Sequence, residues 1–77
     1  MNKDEIKLGK YKHFKGSIYE VLGEGVHTET KELLVLYKSF SGSDKYPAGT
    51  IWARPKEMFL DNVKRKDYEG PRFIYIE

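Results

Sequence analysis

The chain has 77 residues, 14 of them basic and 12 acidic, with a net charge of +2 and no cysteine. A chain of this length forms one domain that buries about 60% of the surface its unfolded form exposes, which excludes a second domain and a large core. The missing cysteines exclude a disulfide framework and a thiolate metal site, and the mixed-sign surface, as in Lys3-Asp4-Glu5-Ile6-Lys7 and Lys64-Arg65-Lys66-Asp67, argues against a polyanion-binding face.

Residues 1–8 read as a polar, frayed terminus, and 9–77 as a single domain. Lys10 to Phe14 alternates charged with ring side chains, Lys15-Gly16 supplies a turn, and Ser17 to Gly23 is rich in β-branched and aromatic residues. Together these predict a hairpin. Gly23-Glu24-Gly25 predicts a bulge or sharp bend before Val26 and His27. His27 to Lys31 is a polar loop tip, and Glu32 to Phe40 is the strongest strand signal, apolar enough for a central strand.

Ser41 to Gly49 is turn chemistry throughout and leads into a short strand from Thr50 to Arg54. Pro55 disfavours helical dihedrals in Arg54 yet suits a first helical position, so Pro55 to Leu60 reads as one short helix or 3₁₀ turn that closes the barrel end with Met58 and Phe59. Asp61 to Gly70 reads as polar connection, and Arg72 to Ile76 alternates as a last strand. Five short strands with one short helix before the last give a mainly β fold, a small SH3-like barrel. The competing OB-like barrel needs a longer chain and a more substantial helix.

The order of motifs Gly9-Lys10-Tyr11-Lys12-His13-Phe14-Lys15-Gly16, Tyr19-Glu20-Val21-Leu22-Gly23, His27-Thr28-Glu29-Thr30, Trp52-Ala53-Arg54-Pro55 with Met58-Phe59, and Pro71-Arg72-Phe73 closely resembles a bacterial family known as domain of unknown function 1653. The resemblance runs from Gly9 to about Phe73. It implies a shared small fold and carries over no catalytic residue.

Two readings of the chemistry stay open. Trp52 and Arg54 share one face of their strand by the period-two rule, leaving Ile51 and Ala53 for the core. An exposed indole beside a guanidinium makes a stacking platform, whereas a buried Trp52 would plug the barrel with Arg54 paired to a glutamate. Tyr37 adds a ring to that platform, and His27, Thr28 and Glu29 a polar rim, although the same loop side chains also satisfy turn backbone. The alternative chemistry is a metal or acid/base site built from His13, His27, Glu20 and Glu29, against which stands the bland reading of His13 bonded beside Tyr11 and His27 opening a turn.

Lys10, Lys12, Lys15, Arg54, Lys64, Arg65 and Lys66 line a nucleic-acid face only if the two ends of the domain converge. The leading expectation is therefore a non-catalytic binding module for a peptide, a single-stranded nucleic acid or a small anionic ligand, without cofactor. A small metalloenzyme and a homo-oligomeric accessory are the alternatives. The lack of an apolar leader in Met1 to Glu5 and of a run longer than Leu33 to Tyr37 gives the expectation of a cytoplasmic protein without a membrane partner.

Overall fold

Alternation along β1 (Gly9–His13) buries Tyr11 between outward-facing Lys10 and Lys12, as expected of a strand with one wet face. The computed structural model describes residues 6–77. A tight turn, closed by the Gly16 N–H on the His13 carbonyl at 2.7 Å, leads into β2 (Ile18–Val26), which pairs antiparallel with β1. The expected bulge falls at Leu22, where the register against the next strand shifts between Val21 and Gly23. The strand is not broken there: it runs through Gly25 to Val26.

The third strand, β3 (Leu33–Ser39), buries Val35, Tyr37 and Ser39 on one face, and Val35 is fully excluded from solvent. A buried valine of this kind contributes roughly 1.5–3 kcal/mol. It is interior to the sheet, flanked by β2 and by β4 (Ile51–Pro55). Pro55, with φ −51° and an extended ψ of 135°, ends β4 and starts helix α1 (Lys56–Phe59). Phe59 is buried, but Met58 is exposed, so only one of the two residues expected to close the end does so.

The segment expected to be polar connection instead forms a hairpin of β5 (Asn62–Arg65) and β6 (Tyr68–Pro71). Only Val63 is buried in β5, so the alternation that marks a strand in sequence is missing there. The helix accordingly precedes three further strands rather than one, the last being β7 (Phe73–Tyr75). The order β4-β3-β2-β1-β7 makes a five-stranded antiparallel sheet with β4 and β7 as edges, so the mainly β class holds while the sheet stays open rather than closing into a barrel.

Residues 1–5 of the expected frayed terminus lie outside the described residues, and Ile6 of the same segment is buried in the core with its N–H donating to Glu24 Oε2 at 3.2 Å. The core is largely aromatic. Phe59 and Phe73 stack at 4.3 Å and 9°, while Tyr11, Tyr19 and Tyr37 pack their rings around this pair at 5.3–5.9 Å. Edge-to-face contacts of this kind add about 0.5–1.5 kcal/mol each beyond area burial. Among the described residues no helix is long and apolar enough to cross a membrane.

Candidate functional site

The inner face of the sheet carries the rings of the core and, toward its rim, the side chains expected to do chemistry. Register sets their positions: Tyr37 lies opposite Trp52, Val35 opposite Arg54, and His13 opposite Phe73. Trp52 and Arg54 do share a face, but it is the inner one. Ile51 and Ala53 point to solvent, Ile51 with 63% of its surface exposed, which reverses the expectation that they serve the core. The reason is Tyr37: its inward ring, fixed by the packing of β3, selects which parity of β4 meets the core.

Among the described residues Arg54 is not paired with a glutamate. Its Nε–H donates to the Tyr37 hydroxyl at 3.0 Å, and its guanidinium lies 5.5 Å from the centre of the Phe73 ring. Trp52 is half-buried against the core, and its buried Nε1–H has no hydrogen-bond partner among the described residues. Tyr46, reaching in from the loop between β3 and β4, meets the indole edge-on at 4.9 Å. Tyr19, Ser39, Ser43, Tyr46 and Trp52 border a cleft of about 260 Å³.

His13 belongs to this face as well. Its ring lies 5.0 Å from Phe73 and 6.3 Å from Tyr19, and its Nδ1 accepts the Lys15 N–H at 3.1 Å. In the neutral ring the hydrogen therefore sits on Nε2. Burial, followed by the positive charges of Arg54, Arg72 and Lys15, pushes the His13 pKa below the ordinary histidine value.

Arg72 was not singled out by the sequence. Its backbone is clamped from both sides, its N–H on the Asp61 carbonyl at 3.0 Å and its carbonyl accepting Phe14 N–H at 2.9 Å, and its buried side-chain Nε has no partner among the described residues. The pairing of β1 with β7, which sets His13 opposite Phe73, brings the Arg72 backbone beside Phe14. Among the described residues neither Arg54 nor Arg72 has a carboxylate within ion-pair distance.

The other candidates lie elsewhere. His27, Thr28 and Glu29 occupy the tip of the β2–β3 hairpin, four residues along β3 from Tyr37, and their polar atoms are used within the turn. His27 Nδ1 accepts the N–H groups of Glu29 and Thr30 at 3.2 and 3.3 Å, and Thr28 donates to Glu29 Oε1 at 2.7 Å. Glu20 faces Lys38 at 3.6 Å on the outer side of the sheet. The four residues of the metal alternative are thus not brought together, and among the described residues no three histidine or acidic side chains form a metal-holding group. The basic residues divide too. Lys15 and Arg65 lie over the Phe14 ring, next to His13, whereas Lys10 and Lys12 project from the opposite face.

Residues 9–75 match the family described as "Protein of unknown function (DUF1653)". The chain belongs to that family. A crystal structure of a DUF1653 protein from Bordetella bronchiseptica is similar over 97% of this chain and 92% of that one, with 27% sequence identity and a TM-score of 0.83. No curated protein matches. Membership in DUF1653 thus accounts for the open mainly β fold and assigns no activity to the arginine-bearing face.

Proposed function

We propose that this DUF1653 protein is a non-catalytic binding module whose inner sheet face holds a small anionic ligand. The observation that carries the reading is Arg54, aimed over the Phe73 ring by the Tyr37 hydroxyl, with Arg72 preceding Phe73 in the chain and neither having a described carboxylate in ion-pair range. Fixed guanidinium groups in a partly desolvated setting bind carboxylate or phosphate oxygens through charge-assisted hydrogen bonds. A neighbouring side chain adds a donor: the Tyr37 hydroxyl, which accepts from Arg54, keeps its own hydrogen for an acceptor. An excess of donors over acceptors is what an oxyanion matches. The division of the basic residues between two faces favours a small anion over an extended nucleic acid.

The test is an amide NMR titration of the labelled protein at low salt with inorganic phosphate, pyrophosphate and citrate. Saturable shifts at His13, Arg54, Arg72 and Phe73 are expected, lost in Arg54→Gln. Shifts that scatter over Lys10, Lys12 and Lys64, or none at millimolar anion, would defeat the reading.

A further inference from the structure

The arginine pair accounts for only part of the inner face. Two residues before Arg54 on the same side of β4 stands Trp52, and with Tyr19 and Tyr46 it walls the cleft of about 260 Å³. The cleft walls adjoin the residues that position Arg54. Tyr19 is 5.2 Å from Tyr37, whose hydroxyl takes the Arg54 Nε–H, and 6.3 Å from His13. A volume of this size is just below the range of about 300–1,000 Å³ that takes drug-sized ligands, and suits one flat ring system with a short substituent.

The cleft is chemically suited to a ring with polar edges. Its walls are three aromatic faces or edges, and its remaining border carries the hydroxyls of Ser39, Ser41 and Ser43. Tyr46 is the adjustable wall, because it stands on the solvent-exposed loop between Phe40 and Thr50, whereas Tyr19 and Trp52 are fixed in the sheet.

Building on the anion-binding reading above, we infer that the ligand joins a planar aromatic ring to an anionic group, the ring lodged in the cleft of Tyr19, Tyr46 and Trp52 and the anion held by Arg54 and Arg72. Stacking on aromatic walls and pairing with guanidinium groups then act on two ends of one small molecule, so neither half alone binds well. The anion is a phosphate or a carboxylate; both match the donor set.

Trp52 is the only tryptophan of the chain, so its fluorescence reports on the cleft directly. The intact protein is titrated with adenosine 5′-monophosphate, adenosine and inorganic phosphate, and in parallel with indole-3-acetate, indole and acetate, each indole titration read by amide NMR. At least one ring-bearing anion should bind about 10-fold more tightly than either of its halves, a stacking contribution of ordinary size. The series that does so identifies phosphate or carboxylate. Tyr46→Ala, at an exposed position the fold does not need, should weaken that compound about 10-fold and leave phosphate or acetate within two-fold. If the simple anions bind as tightly as the ring-bearing ones, or if Tyr46→Ala changes nothing, the ring half is wrong and the anion site stands. If no compound binds, both are overturned.

Discussion

The Nε–H of Arg54 donates to the Tyr37 hydroxyl at 3.0 Å, diagonally across a strand pair in which Arg54 stands opposite Val35 and Tyr37 opposite Trp52. The bond aims a long, flexible side chain at the rim of the aromatic core, where its remaining N–H groups face no described carboxylate. Tyr37→Phe removes the bond and keeps the ring. Anion affinity should fall about 5-fold as the guanidinium loses its orientation. Stability should fall by about 1 kcal/mol, the size of one partly buried hydrogen bond. Urea denaturation with phosphate titration measures both, and an unchanged affinity would show that Arg54 does not need Tyr37.

His13 makes the fold sensitive to mild acid. Its pKa is lowered by burial and by Arg54, Arg72 and Lys15, so the folded state disfavours the imidazolium. Above the ordinary histidine value of about 6.5 the ring is neutral both folded and unfolded, and stability is at its full value. As pH falls through that value the unfolded chain takes up the proton first, and stability declines until the pH passes the lowered folded value. Protonation also removes the Nδ1 lone pair that accepts the Lys15 N–H. Denaturation midpoints from pH 8 downward should show this decline beginning near about 6.5 in the native chain and not in His13→Asn. A decline shared by both would place its origin elsewhere.

A second, more acidic window belongs to Glu24. Its carboxylate meets Lys56 Nζ at 2.8 Å and accepts the Ile6 N–H, and the Lys56 bond chiefly holds its pKa below the ordinary value. That contribution is present above the ordinary carboxylate range and is lost as pH falls through the lowered value. Lys56 is 92% buried, by its 8% exposure, so Glu24→Gln leaves an ammonium buried without its counter-charge. The same change at Glu20 breaks only the exposed contact to Lys38. Glu24→Gln should destabilise clearly more than Glu20→Gln, with Glu24→Gln/Lys56→Met recovering part of the loss. Equal effects at the two glutamates would argue that Lys56 is solvated.

Gly42 allows the loop bearing Tyr46 to fold back on itself. A Cβ there would collide with the Ala48 backbone nitrogen and approach the Pro47 carbonyl carbon at 2.9 Å. Gly42→Ala should leave the sheet intact, with a melting temperature within a few degrees of the native chain, because every residue from Ser41 to Gly49 is exposed. The Tyr46–Trp52 contact should be lost, read as a change in near-ultraviolet circular dichroism and in Trp52 fluorescence. An unaltered spectrum would mean that the loop accommodates the methyl group.

Strands with strong alternation were legible in the sequence. Tyr11 between two lysines, the β-branched and aromatic run of β2, and the apolar β3 each carry their own pattern, and the Pro55 helix start carries its own backbone chemistry. The β5–β6 hairpin was not legible, because one buried valine in four residues leaves no period to detect. Arg72 was read as the start of the last strand but not as part of the site, because nothing near it in sequence says that Asp61 and Phe14 will grip its backbone. Trp52, Arg54 and Tyr37 were named from residue type and spacing, but which parity of β4 faces inward depends on its pairing with β3, and that is decided between strands. The polar tip at His27 looked like a ligand rim since the residues that close turns are also those that bind ligands.

The pairing of β1 with β7 also has a consequence in time. His13 and Phe73 face each other from opposite ends of the described chain, and Tyr11 is matched with Tyr75. Contacts so distant in sequence close late and slowly, after the local β2–β3 hairpin has had time to form. A chain emerging from synthesis therefore has no complete inner sheet face until β7 is out. In refolding, ligand capture should be the final signal to recover, lagging behind the signal for sheet formation.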